Sequence, residues 1–262
     1  MRIDSHAHGA AVRNLKESPA DYIARCKRDG IDGLVLIAQP EEALDAAKTM
    51  GSFVIPVPII EMDRTGSDEI HRLFDRGAKG IKFFLPKHPY GDERYYHLYE
   101  AIKERDGVAV FHTGYVMHDA DYSPRFQVKL DDMRTVHIDT IERWVPHLKV
   151  LMGHFGNPYW EECWKIMWAH PTVYADLSGG TALHRSMNMW RDMFAPNGKL
   201  MPECLGKLCF GTDMTFFGAS HGAQPYIDFY ERLFDEVGAP ADLREKVNAG
   251  NIIELFSVEG LG

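Results

Sequence analysis

The 262-residue chain reads as an α/β protein of the (β/α)8 barrel class, a TIM barrel, folded as a single domain over residues 1–262. Eight short runs rich in Val, Ile, Leu and Phe recur along it, and segments with helical spacing separate most of them, which is the arithmetic of that fold. The runs are near-continuously apolar, as expected of parallel strands covered on both faces. A doubly wound open sheet is the alternative, but the glycine-rich nucleotide fingerprint that would support it is missing.

In chain order, strands are expected near Arg2–His8, Gly33–Ala38, Phe53–Ile59, Gly80–Phe84, Val108–His112, Lys149–His154, Val173–Leu177 and Leu208–Asp213. Pro40-Glu41-Glu42 opens a helix that runs to about Met50, because proline is tolerated in a first turn and acidic residues suit it. Ser67 looks like an N-cap for Asp68–Arg76, with Gly77 as the stop. Glu93–Glu104 is the next helix, ended by Gly107. Ile138, Ile141 and Val145 mark a helix before strand six, and Trp160, Trp164 and Trp168 form a stripe on the following one that is expected to pack on the barrel. Tyr226, Phe229, Tyr230, Leu233, Phe234 and Val237 keep i, i+3, i+4, i+7 spacing after strand eight. The longest connections, Gly114–Met133 and Ser178–Gly206, would lie on the catalytic face of a barrel, where long loops are lids or specificity elements.

Composition narrows the function classes. A net charge of −9 without a basic stripe argues against nucleic acid, whose binding depends on neutralising phosphates. No apolar run reaches the length of a membrane span. The first expected strand begins at residue 2, which leaves no room for a signal or transit peptide, so the expectation is a cytoplasmic protein. Four cysteines without a C-x-x-C pair suit reduced, packed thiols better than a disulfide framework.

Active sites of such barrels sit at the carboxyl ends of the strands. Strand one ends in His6 and His8, two apart and so on one face. Strand four carries Lys82, strand five ends in His112, strand six in His154 and strand eight in Asp213. Any one of these has an ordinary structural reading, as a satisfied core imidazole or a turn cap. Their shared location at one rim is what points to a site. Barrel closure sets Asp213 beside His6 and His8, and His112 reaches in from the opposite wall. Three neutral imidazoles and a carboxylate suit Zn²⁺ with an open position for water or substrate. Asp213 can serve as ligand, general base or both. Arg125 and Arg134 follow strand five, where a lid would lie, and arginine suits bidentate binding of a substrate carboxylate.

Ile3-Asp4-Ser5-His6-Ala7-His8, Gly80-Ile81-Lys82, Phe111-His112-Thr113-Gly114, Gly153-His154-Phe155-Gly156, Asp176-Leu177-Ser178-Gly179 and Phe210-Gly211-Thr212-Asp213 together resemble the amidohydrolase superfamily. More narrowly they resemble the branch that includes aminocarboxymuconate-semialdehyde decarboxylase and hydroxybenzoate decarboxylases. The resemblance implies one divalent metal ion, most simply Zn²⁺, on His6, His8, His112 and Asp213, with His154 beside the substrate as electrophile or general acid/base. Other branches carboxylate a strand-four lysine to bridge two metals. The run Gly77–Lys82 looks like the mononuclear branch instead, which makes Lys82 a substrate-side cation or a core ion-pair partner.

The leading expectation is therefore a hydrolase acting on a small carbonyl substrate, with Asp213 and His154 catalytic and Lys82, Arg125 and Arg134 on the substrate side. A non-oxidative decarboxylase uses nearly the same metal ligands. A TatD-like nuclease would want a glutamate where Lys82 stands. Barrels of this branch are often dimers, so a homodimer is also expected.

Overall fold

The computed structural model describes residues 1–9, 18–116, 129–215 and 222–258. Arg125, together with His118 and His221 on inferred catalytic-face loops, lies outside the described residues.

The strands are β1 (Ile3–His8), β2 (Gly33–Ala38), β3 (Val54–Pro58), β4 (Gly80–Phe83), β5 (Val108–Gly114), β6 (Lys149–Asn157), β7 (Val173–Asp176), β8 (Leu208–Cys209) and β9 (Met214–Thr215). All pairings are parallel, in the orders β3-β2-β1-β9 and β4-β5-β6-β7-β8. An Ile59–Lys82 bridge joins the two sheets on one side. On the other, the Ser5 amide donates to the Phe210 carbonyl at 2.8 Å and the Asp213 amide to the His6 carbonyl at 2.8 Å. The ring of strands thus closes as a (β/α)8 barrel.

Strand alternation sorts the core into two layers. Val35, Ile37, Ile55, Val57, Val108, Val110, Leu151, Tyr174 and Cys209 pack with one another and with Ile252, Leu255 and Phe256 of the last helix. This is the barrel interior, closed at its lower end by that helix. Leu34, Leu36, Ile81, Phe83, Ala109, Phe111, Val150 and Met152 face outward onto the surrounding helices. Lys82, His112 and Asp176 keep the inward parity at the upper ends of β4, β5 and β7.

Helices Pro40–Met50 and Gln224–Val237 form as their patterns predict, the second burying all six of its spaced apolar residues. Four expectations need correction. The helix after β3 spans Ser67–Asp75 and its N-cap is Gly66, so Ser67 is the first helical residue and not the cap. The segment opening at Glu93 starts as a 3-10 turn, Glu93–Tyr95, before the α-helix Tyr96–Glu104. The tryptophan stripe faces the barrel only in part: Trp160 and Trp164 pack against the core beside the buried Cys163, Ile166 and Met167, while Trp168 is 41% exposed and stacks on Trp164. Strand eight does not run through to Asp213. The Thr212 amide and hydroxyl are both taken by the Asp4 carboxylate and Asp213 has φ +64°, so the chain leaves the ladder after Cys209 and rejoins β1 as β9.

Among the described residues no helix is long and apolar enough to cross a membrane, and all four cysteines are free and buried.

Candidate metal centre

The two histidines of β1 face inward because of a bulge. Ile3 lies in the interior layer and Ala7 in the outer layer, yet residues four apart on a regular strand share a face. The register jumps between Asp4 and Ala7, where Ser5 and His6 together oppose Val35. One extra residue reverses the parity of everything that follows it, and His6 and His8 turn into the barrel.

A second irregularity delivers His154. The register of β5 with β6 slips between His112–Gly153 and Gly114–Asn157, and His154, Phe155 and Gly156 have φ of 64°, 48° and 66°. Left-handed backbone at non-glycine residues costs energy and clusters at functional sites. Asp213 shares it. Two of the residues singled out by chemistry are therefore also strained.

These irregularities converge. One ring nitrogen each of His6 and His8 and a carboxylate oxygen of Asp213 lie within 4.8 Å of one another. Asp213 Oδ1 is 2.9 Å from His8 Nε2 and 3.7 Å from His6 Nε2. The His6 side chain is fully buried, whereas those of His8 and Asp213 are 31% and 32% exposed, so the group opens to solvent on their side. His154 lies against His6 with ring centroids 4.6 Å apart and against His112 at 4.5 Å. His154 Nε2 is 3.1 Å from His112 Nδ1. Lys82 Nζ is 3.2 Å from His6 Nε2. His6, His8, Lys82, His112, His154 and Asp213 thus form one cluster.

Arg134 is placed elsewhere. Its guanidinium bonds Asp131 and Glu162 and lies over the Tyr159 ring at 4.4 Å, and Glu162 also takes the Thr135 hydroxyl and the Val136 amide. This arginine is bound into the start of the helix Val136–Trp144 rather than presented to the cluster.

Two aspartates that strand-end reasoning did not single out complete the centre. Asp176 ends β7, fully buried, and faces His6 Nδ1 at 3.0 Å. Asp4 accepts the His6 amide as well as Thr212. Asking which polar residue ends strand seven would have found the first. The second stands in the run Ile3–His8 that carries the resemblance, but its role was not readable there, because it depends on β1 meeting the chain after β8. Glycines make room for the packing: a Cβ on Gly153 would come within 2.5 Å of His6 Cε1, and one on Gly211 within 2.6 Å of Ser5 Oγ.

Burial and neighbouring charge set the protonation states. Burial, with the Lys82 charge, pushes His6 down to about 3. Burial likewise lowers His112 well below the ordinary range and lowers His154. All three are neutral imidazoles at neutral pH, with lone pairs available. Burial works against ionisation of Asp213, but His154 and the hydrogen bond from His8 hold it far below the usual carboxylate range. Asp176 is also held far down against burial, through its close pairing and hydrogen bond with His6. Burial brings Lys82 down to about 8 and lifts Asp4 to about 7.

The donor set fits a divalent cation. It offers neutral imidazoles, an ionised carboxylate and, at His112 Nε2, a buried nitrogen with no hydrogen-bond partner.

The sequence profile of the amidohydrolase family matches residues 3–258, and the chain belongs to that family. No curated protein matches it by sequence. An uncharacterised TIM-barrel protein from Bordetella bronchiseptica is similar in structure, with TM-score 0.70, 16% identity and 98% of each chain covered. A putative 2-pyrone-4,6-dicarboxylic acid hydrolase from Pseudomonas putida gives 0.66 at 17% identity, again over 98% of both chains. The 5-carboxyvanillate decarboxylase of Sphingomonas paucimobilis gives 0.67 at 12% identity, over 95% of this chain and 85% of the other. At these identities the likeness shows the barrel. The family makes the chain an enzyme of hydrolase or decarboxylase type.

Proposed function

We propose that the chain is a metal-dependent hydrolase acting on a small amide, ester or lactone that bears a carboxylate. The observation that carries this reading is the inward-turned donor set of His6, His8 and Asp213, with His112, whose Nε2 is unpartnered, linked to it through His154. Imidazole and carboxylate donors together favour Zn²⁺, and one ion on these four residues is the arrangement we adopt. Such an ion supplies Lewis-acid polarisation of a carbonyl oxygen and makes water nucleophilic at neutral pH.

The protein's own residues then have distinct tasks. Asp213, ionised and on the open side of the cluster, accepts the proton of the attacking water. Asp213 then passes that proton to the departing group, while His154, neutral, donates a hydrogen bond to the substrate oxygen as an electrophile. Lys82, a buried cation at the upper end of β4, draws the substrate's carboxylate end, assisted by Arg125. The barrel keeps the Lys82 charge out of bulk water, where it would count for less.

Non-oxidative decarboxylation of a small aromatic or unsaturated carboxylic acid is the second reading, favoured by the likeness to the 5-carboxyvanillate decarboxylase. It uses the same groups differently: Lys82 orients the scissile carboxylate, and His154, once it has taken a proton from solvent, delivers that proton to the carbon that loses CO₂ and returns to the neutral form.

Metal analysis of the purified protein, followed by a panel of lactones, amides and aromatic carboxylates, separates the readings. Hydrolysis predicts about one zinc per chain and acid release without CO₂. CO₂ release alone supports the second reading. Two ions per chain would favour a carboxylated Lys82. Protein that binds no divalent metal and turns over nothing in the panel contradicts both.

A further inference from the structure

Asp176 touches three parts of the centre at once. One carboxylate oxygen accepts the amides of His154 and Ser178, each at 3.0 Å. The other lies 3.0 Å from His6 Nδ1 and 3.4 Å from Ser5 Oγ. The carboxylate therefore ties β7 to β1 and to the strained turn that carries His154. A wholly buried carboxylate with all these donors converging on it is a built feature of the fold, since an unpaired one would be very costly there.

The geometry at His6 is directional. An ionised carboxylate can only accept, so the ring must carry its proton on Nδ1. The opposite nitrogen agrees. Lys82 has only donors to offer, and its Nζ sits 3.2 Å from His6 Nε2, which must therefore present a lone pair. That nitrogen lies 3.7 Å from the Asp213 Oδ1 that His8 Nε2 also approaches.

Resting on the metal reading above, we propose that Asp176 is a positioning residue: it locks His6 in the Nδ1–H tautomer so that Nε2 is always the metal-facing donor, and it pins the His154 turn beside it. A partner on the remote nitrogen fixes a ligating histidine in just this way and raises its basicity.

Asparagine at this position makes the proposal testable. Two backbone amides require an oxygen at one branch, which leaves the Asn NH₂ facing His6 Nδ1. Nδ1 then accepts, with the Ser178 hydroxyl 3.2 Å away able to donate to it as well, and the ring proton moves to Nε2, where it blocks the metal-facing lone pair. Long-range ¹H–¹⁵N spectra of the metal-free protein at neutral pH, with His6 assigned through its loss in His6→Gln, read the tautomer directly. The wild type should show Nδ1–H, and an Nε2–H tautomer there overturns the proposal without any need of a variant. Asp176→Asn should show Nε2–H and bind zinc about 10- to 100-fold more weakly in chelator competition, with unchanged far-ultraviolet circular dichroism. A variant with wild-type tautomer and wild-type affinity also overturns it. Failure of the wild type to take up any metal sinks the metal reading itself, whereas metal uptake with unchanged affinity in Asp176→Asn sinks only the role given to Asp176.

Discussion

His6 is the residue on which the centre turns, and its surroundings allow little tolerance. Its ring is fully buried, its amide bonds Asp4, its Nδ1 bonds Asp176, and Gly153 lies against its edge. Gly153→Ala places a methyl where the ring stands, an overpacking that typically costs about 1–3 kcal/mol. The variant should lose most of its zinc affinity along with some stability. Wild-type affinity in chelator competition would show that the ring has room to move. Asp213→Asn keeps the shape and removes the charge. It should fold as the wild type does, lose zinc affinity and abolish turnover, and near-native rates would remove Asp213 as the base. These histidines and Asp213 were legible in the sequence, because the search for polar residues at strand ends needs only strand positions. Asp4 was not, since its partners Thr212 and His6 lie far apart along the chain and meet only on barrel closure.

Among elements, those with strong local patterns were readable and those shaped by tertiary hydrogen bonds were not. β2 spans Gly33–Ala38 as its apolar run predicts. The break in β8 could not be foreseen, because the Asp4 carboxylate, not a local turn signal, draws the Thr212 amide away. The tryptophan stripe was readable in part: Trp160 and Trp164 pack on the core, but spacing of four does not show that Trp168 lies past its edge. Arg134 shows the same limit. Its loop position suggests substrate binding, but its guanidinium is engaged by Asp131 and Glu162. Arg134→Ala should lower stability by about 1 kcal/mol and leave KM for anionic substrates unchanged. A raised KM at unchanged stability would return Arg134 to the substrate side.

The same helix supplies a pH signature. Glu142, 5% exposed, is lifted by burial from 4.5 to about 7. Between those values the folded state holds a proton that the unfolded chain has released. Stability therefore falls as pH rises through that window, and the loss is complete above about 7. Glu142→Gln should match the wild type near pH 4.5 and exceed it at pH 8 by on the order of 2 kcal/mol. Denaturant titrations at the two pH values decide it, and a difference that does not change with pH contradicts the assignment.

For the whole molecule, the barrel gathers groups from β1, β4, β5, β6 and β7 and from the turn after β8 onto one rim, and two register shifts aim the histidines of β1 and β6. That the rim would assemble was predictable from eight strands. That β1 needs a bulge to turn His6 and His8 inward was not, because the bulge leaves no compositional mark. A ligand that binds only the folded state stabilises it by mass action, so chelator treatment should lower the melting temperature and added zinc or manganese should restore it.

The most direct test is the metal content of protein purified without added metal, compared between the wild type and the double variant His6→Gln with His8→Gln. The account predicts about one divalent ion per wild-type chain and none in a folded double variant. Stoichiometric metal retained by the double variant, or a wild type that binds none even when it is supplied, would contradict it.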